Sequence, residues 1–267
     1  MGRHDVPQAF DEIAPAYDAT REPLEGETLD RIAAALRKEA VASVLEVGIG
    51  TGRIAGPLTE RGFVVTGIDA SLGMIARARA KGLERLVRGS ADRLPVADGA
   101  VDAALFVHVL HLLDDPLAAL QEAVRVGRRG AFALLRPPRP DGESGAESPD
   151  EARRIVYRIL RAQGHAVGDG VGGPPRRERA LLARWPPHSL EIVLDRTATR
   201  PLADSLEAIA QRAHRPLLRI PAEDVRRAVE AARAEVGDRR ITYRSRLALA
   251  RWTEAELTGA AADSFGP

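Results

Sequence analysis

Apolar positions along the chain follow two rhythms. From residue 28 to 40 (TLDRIAAALRKEA), Leu29, Ile32, Ala33 and Leu36 recur at helical spacing with charges on the other side, which predicts an amphipathic helix. Short, nearly unbroken apolar runs then appear at 43–47, 63–68, 86–87, 101–107 and 131–135, and segments with helical spacing (54–61, 72–81, 116–126) separate most of them. A strand buried on both faces has no polar face to alternate with, and parallel neighbours need a crossover connection, which these helices supply. The pattern predicts a doubly wound α/β domain with a mostly parallel sheet and right-handed crossovers.

Past residue 135 the rhythm breaks. Residues 136–149 (RPPRPDGESGAESP) are a Pro, Gly and Ser-rich connection, followed by a helix over 150–163 and a second, glycine-rich connection over 164–175. Residues 176–185 fit a helix, 189–195 (SLEIVLD) a strand, and 201–213 and 221–236 two helices that open on proline. Residues 240–250 alternate as a last strand, and Thr253 with Glu256 forms a capping-box pattern at a short final helix. Three regions follow: 1–136, with N-terminal cap helices and a ligand-binding half; 137–239, a helical lid or substrate-binding insertion that includes the strand near 189–195; and 240–267, which completes the sheet.

Composition narrows the chemistry. There is no cysteine, which excludes disulfides, thiolate metal sites and cysteine nucleophiles, and no motif points to a metal. A net charge of +1 provides no global field for nucleic acid or anionic membrane. No apolar run is long enough to span a bilayer and the first ten residues do not read as a signal peptide, so the expected location is the cytoplasm. Arginine far outnumbers lysine and asparagine is absent, which fits either a thermophile's protein or a GC-rich coding bias.

The stretch LEVGIGTG (45–52) places three glycines at alternate positions after an apolar run and an acid. A dinucleotide-binding G-x-G-x-x-G would need glycine at 53, where Arg53 stands. The pattern Glu46-x-Gly48-x-Gly50-x-Gly52 instead resembles the first motif of the class I S-adenosylmethionine-dependent methyltransferases. GIDAS (67–71), GSADRLP (89–95) and VDAALFVHVLHLLDDP (101–116) are similar to that family's second strand, third loop and fourth strand, in the same order. Upstream, FDEIAPAYD (10–18) resembles the segment that folds over the cofactor in the small-molecule, ubiquinone-biosynthesis-like branch (methyltransferase type 11). One departure is Gly127-Arg128-Arg129-Gly130, where the family usually has a Pro-Gly-Gly turn.

The resemblance implies a seven-stranded Rossmann-like sheet and S-adenosyl-L-methionine as cofactor, leaving as S-adenosyl-L-homocysteine. It assigns Glu46 to the methionine ammonium, Gly48, Gly50 and Gly52 to the turn under the cofactor, Asp69 to the ribose hydroxyls and Asp92 to the adenine amine, with Ala70, Ala91 and Val107 beside them. Tyr17 would close over the sulfonium by a cation–π contact or its hydroxyl. His108 and His111 follow strand four, where a neutral imidazole can act as a base near pH 7, though packing beside the cofactor would place them there equally well. His165, His188 and His214 are read as surface residues, Asp102 as structural, and Asp114-Asp115 as a cap for the helix at Pro116.

The expected partner is a small-molecule methyl acceptor, with the protein a monomer or homodimer. A polymer-directed enzyme remains as an alternative because of the arginines in the insertion (Arg153, Arg154, Arg158, Arg161, Arg176, Arg177, Arg179), which with Asp150, Glu151 and Glu178 otherwise read as a solvated face. A non-catalytic protein on the same fold is the third reading.

Overall fold

A computed structural model describes residues 5–21, 23–137, 150–167, 174–210 and 215–262. Helix α1 (Asp5–Ile13) and two 3-10 turns (Ala14–Ala16, Asp18–Thr20) precede α2 (Gly26–Lys38). One half of the sheet comes from β1 (Ser43–Val47), α3 (Ala55–Glu60), β2 (Val64–Asp69), α4 (Leu72–Ala80) and β3 (Leu86–Arg88). The other half begins with β4 (Ala103–Val107), α5 (Pro116–Val126) and β5 (Ala131–Leu135). Helices α6 (Glu151–Ala162) and α7 (Pro174–Arg184) lead into β6 (Ser189–Pro201). Then α8 (Leu202–Ala210), α9 (Arg215–Leu218) and α10 (Ala222–Val236) lead into β7 (Arg240–Trp252), and α11 (Glu254–Ala262) follows.

The sheet has seven strands in the order β3-β2-β1-β4-β5-β7-β6. Strands β1 to β5 pair in parallel, whereas β7 is antiparallel to both β5 and β6. From β1 the chain winds outward to β3 and then crosses back to β4. That reversal opens a crevice above the carboxyl ends of β1 and β4, where ligands bind in open α/β sheets.

Burial follows the alternation expected of a covered sheet. Val44, Leu105, Phe132, Leu134 and Leu249 pack with α2 and α3 on one face, and Leu45, Val47, Phe106, Leu135 and Trp252 pack with α5 and α11 on the other. The predicted caps are present: Asp115 Oδ1 accepts from the Ala118 N–H at 2.9 Å, and Glu256 Oε2 accepts from the Thr253 N–H at 2.7 Å. Asp102 is structural, as read. Its carboxylate gathers the N–H groups of Ala42 (3.0 Å) and Ser43 (2.8 Å) and the Arg128 guanidinium (2.6 Å). Burial opposes ionisation there, but these donors outweigh it and hold the carboxyl well below the usual range. They also shape the departing 127–130 loop, where the Arg129 N–H bonds Asp102 O and the Gly130 N–H bonds Gly127 O.

The last two strands are longer than the alternation suggested, 13 residues each. A bulge between Ile192 and Leu194 shifts the register, and beyond it the pair leaves the sheet to enter a third core. Ala152, Val156 and Leu160 of α6, Leu206 of α8, Val225 and Val229 of α10 and Ile241 and Tyr243 of β7 form that core. The stretch 137–239, expected as helical lid or substrate-binding insertions with one strand, packs in more than one core, this third one among them. Helix α7 sits apart from this cluster, with Leu181 and Leu182 buried in the main core beside Trp185, whose carbonyl takes the Trp252 indole N–H at 2.9 Å. No described helix is long and apolar enough to cross a membrane, and among the described residues no three His, Cys, Asp or Glu side chains converge as a metal site.

Candidate active site

The three glycines have separate reasons to be glycine. All have positive φ (+74° at Gly48, +57° at Gly50, +78° at Gly52), which costs any other residue strain. A Cβ on Gly48 would lie 2.6 Å from Val109 Cγ2, and one on Gly52 would lie 2.2 Å from Leu83 Cδ1. Those two positions are filled by the protein itself. Only Gly50 faces open space, with nothing within 4 Å of an added Cβ.

That space is a cavity above the strand ends. Gly48, Gly50, Asp69, Ala70, Ala91, Asp92, Val107, His108 and Tyr17 line it, as do Asp114 and Asp115. No lysine or arginine does so among the described residues, and four carboxylates make the wall a favourable surface for a cation.

Asp69, at the end of β2, is held rigidly. Oδ2 accepts from the Gly50 N–H and Oδ1 from the Ser71 N–H, both at 2.8 Å. Burial raises its pKa, and N–H groups of Ser71, Gly50 and Ala70 oppose the rise. Each oxygen keeps a lone pair for a hydroxyl donor from the cavity. Asp92 accepts from Ser90 Oγ on the loop after β3.

The N-terminal segment forms the roof. Pro7, Phe10 and Tyr17 line the cavity, with the two rings edge to face at 6.3 Å. Both aspartates of the 10–18 stretch are latches. Asp11 Oδ1 accepts from Ser71 Oγ (2.5 Å) and the Gly73 N–H (2.7 Å) at the start of α4. Asp18 joins Thr51 Oγ1 (2.5 Å) in the glycine turn and Lys81 Nζ (2.6 Å) beyond α4. The guanidinium of Arg21 lies 4.8 Å over the Tyr17 ring and occupies one of its faces, so the aromatic cation contact expected of Tyr17 is already made in part by the protein.

Three expected site residues lie elsewhere. Glu46 is only 2% exposed and does not line the cavity; Gly52 does not line it either. Burial pushes the Glu46 carboxyl up to about 8, against a hydrogen bond from the Ala55 N–H and helped by the charge of Asp69. Its Oε2 has no partner. The side chain does not reach the cavity wall, so this geometry lends no support to the role expected of Glu46 at an ammonium group. His111 is the third: its Nδ1 lies 3.3 Å from Glu178 Oε1, behind the wall.

His108, by contrast, stands on the wall with φ +55°, a left-handed conformation rare outside glycine. The residue is exposed toward the cavity, and the protein packed around its ring disfavours the charged form and pushes its pKa down to about 4. Glu178 acts in the opposite sense, while Arg136, His111 and Arg53 deepen the depression. The imidazole is neutral at pH 7 and able to take a proton.

Sequence reasoning missed Glu178. Far from a solvated face, it is 2% exposed, and its Oε2 accepts from the Arg136 N–H at 2.8 Å where β5 ends. Phe10, Met74, Leu112, Leu113 and Asp114 also line the cavity without having been singled out as site residues. Phe10 had a signal in its motif; Glu178, brought in from 42 residues beyond Arg136, had none. His165 pairs with Asp224 and His188 with Glu256, both away from the cavity, and His214 lies outside the described residues.

Comparison with known proteins places this architecture. Residues 45–135 match the methyltransferase domain family. A demethylmenaquinone methyltransferase of Beutenbergia cavernae is 34% identical over 138 residues, 49% of this chain and 57% of that protein's length. The chain thus spans little more than half of that relative. A malonyl-acyl-carrier-protein O-methyltransferase of Pectobacterium atrosepticum is 33% identical over 177 residues, 64% of this chain and 68% of its own. The crystal structure of the YcgJ protein of Bacillus subtilis shares the fold, with a TM-score of 0.51 at 18% identity over 86% of this chain and 100% of that one. The family match runs from the glycine turn to the end of β5, the segments that bound the cavity, and the coverage of a whole methyltransferase reaches two thirds: the chain belongs to the class I S-adenosylmethionine-dependent methyltransferase family.

Proposed function

We propose that this protein transfers the methyl group of S-adenosylmethionine to an oxygen, nitrogen or activated carbon of a small molecule. The observation that carries the reading is the acid-lined cavity at the strand ends, open at Gly50 and fitted with the rigid Asp69. The residues present suit the cofactor: paired acceptor oxygens on Asp69 match adjacent ribose hydroxyls, Asp92 can accept from an amine, and a wall without lysine or arginine favours a positively charged sulfonium. When bound, the cofactor supplies an activated methyl together with its own leaving group. The chain's contribution is to orient the partners, with Asp69 and the glycine turn on one side, and to exclude water beneath the roof of Phe10 and Tyr17. Helices α6 to α10, read as a lid, would shape access for the acceptor.

The charge pattern of the insertion supports a small acceptor over a polymer. Arg153 pairs with Asp150, Arg154 with Glu151 and Arg158 with Glu235, while Arg177 donates to the His111 carbonyl. Arginines occupied in this way do not form a phosphate-tracking stripe.

Calorimetric titration with S-adenosylmethionine and S-adenosylhomocysteine, with nicotinamide dinucleotides as controls, tests the reading. Both sulfur compounds are expected to bind and the dinucleotides not to. A charged hydrogen bond contributes about 1.5 to 3 kcal/mol, so Asp69→Ala should weaken binding ~10- to 100-fold. Folded wild-type protein that ignores both compounds, or an Asp69→Ala variant that binds them equally well, would remove the proposal's basis.

A further inference from the structure

The roof over the cavity rests on two different parts of the protein. One is α4: Asp11 accepts from Ser71 and Gly73, and a Cβ on Gly73 would come within 3.1 Å of Asp11 Cα and 3.2 Å of Ala14 Cβ. The other is the third core. Ile13 and Ala14 of the roof segment form a small buried cluster with Met74 of α4, and Phe10, Tyr17 and Leu218 pack against it. Phe10, Tyr17 and Met74 line the cavity, whereas Leu218, on α9, does not.

Helix α9 is four residues long, and its last two residues belong to different clusters. Leu217 is fully buried in the third core together with Ile220, while Leu218 is half-buried against the roof cluster. A second contact runs beside it: α8, whose Leu202 and Leu206 are part of the third core, lies against the 3-10 turn Asp18–Thr20 that ends the roof segment. A ligand beneath the roof can leave only if the roof moves, and the apolar contact with Leu218 must then break or α9 must move too.

Resting on the methyltransferase reading above, we propose that Leu218 is a positioning residue: it holds the roof over the cavity and so ties the residence of S-adenosylhomocysteine to the third core. Opening the roof costs the buried area that Leu218 shares with the Ile13, Ala14 and Met74 cluster. Loosening α9 removes that cost and speeds opening. The coupling is reciprocal, so a ligand that orders the roof also orders α9. Leu217 carries this response into the third core, which gives the 137–239 stretch a part in cofactor exchange.

The test measures release of S-adenosylhomocysteine from the full chain by stopped-flow, in wild type, Leu218→Ala, Leu218→Met and Leu257→Ala. Methionine restores most of the lost volume, and Leu257, 2% exposed on α11 and outside the roof cluster, reports what a general loss of stability does. Release is expected to be about three- to tenfold faster in Leu218→Ala and to return toward the wild-type rate in Leu218→Met. Leu257→Ala should melt at a lower temperature and release at the wild-type rate. Equal release from Leu218→Ala and wild type, or an equal acceleration in Leu257→Ala, overturns the proposal. Hydrogen exchange in the unmutated chain tests the same coupling without a substitution: S-adenosylhomocysteine should slow exchange at residues 10–18 and 215–220 together, and protection confined to 10–18 would also overturn it. No binding by wild type defeats the methyltransferase reading, whereas normal binding with release and residues 215–220 both unmoved defeats only the role of Leu218.

Discussion

The two sides of the cavity were built from different kinds of information. The side formed by the glycine turn, Asp69 and Asp92 comes from consecutive strand ends, each within a short stretch of chain. The opposite side comes from the N-terminal roof and the turn after β4, backed by α7 behind the wall, and these meet only in the folded protein. Local motifs announce the first side and, through residues 10–18 and 101–116, the roof and the turn after β4, whereas the backing by α7 is visible only as distances. Even on the motif side, spacing does not disclose which side chains turn inward, and Glu46 is the clearest case.

Glu46→Gln gives the largest expected effect and bears on that point directly. In the folded protein the carboxyl is pushed up to about 8 by burial, far above its ordinary value of 4.5. Between those values the folded state holds a proton that the unfolded state has released. Wild-type stability should therefore be highest at the acid end of this window and fall as pH rises through it, by up to ~1.4 kcal/mol per pH unit. The glutamine variant lacks this slope. Urea denaturation at pH 5, 6.5 and 8 should show the variant gaining on wild type by several kcal/mol, whereas parallel stability curves would mean that Glu46 is ionised in the fold and would reopen its assignment to the ammonium group.

Next in size is a contrast between two glycines. Gly50→Ala and Gly52→Ala both force a side chain into left-handed backbone, at a cost of roughly 1 to 2 kcal/mol. Only the alanine at 52 also meets protein, 2.2 Å from Leu83 Cδ1, and only the one at 50 enters the cavity. Thermal denaturation should rank Gly52→Ala as the less stable, and calorimetry with S-adenosylhomocysteine should rank Gly50→Ala as the weaker binder. Equal affinity losses would show that the turn acts as a unit and that the open space at Gly50 has no special role.

These cases show what a linear sequence can disclose. The strands and their order of use were legible because β4 and β5 are continuous apolar runs, and Asp69 because it ends a strand. The outer halves of β6 and β7 were not: Asp195, Arg244 and Arg246 interrupt the alternation, yet they pair across the strands while Ala198, Ile241 and Tyr243 reach the third core. Glu178 was hidden for a related reason. A charge amid arginines reads as solvated, and only its contact with Arg136 N, set by the return of α7 to the sheet, makes it internal.

The smallest predicted effect concerns the seam between the two sides. Asp18 ties the roof to the glycine turn through Thr51 and to the end of α4 through Lys81. Burial disfavours its charge, but the hydrogen bonds from Lys81 and Thr51 and the nearby charges of Lys81 and Arg53 prevail and lower its pKa. The latch is partly exposed, so its loss should cost only about 1 kcal/mol, a few-fold to tenfold in affinity if the roof must be closed to bind. For Asp18→Ala the expected result is a faster release of S-adenosylhomocysteine in stopped-flow with little change in melting temperature, since the latch orders the roof and leaves both faces of the sheet intact. If release is unchanged, the roof stays shut through the Asp11 contacts with Ser71 and Gly73 alone. The double variant Asp11→Ala/Asp18→Ala then decides whether the aspartates hold the roof at all, because a release rate still equal to wild type would assign its closure to the packing of Phe10 and Tyr17.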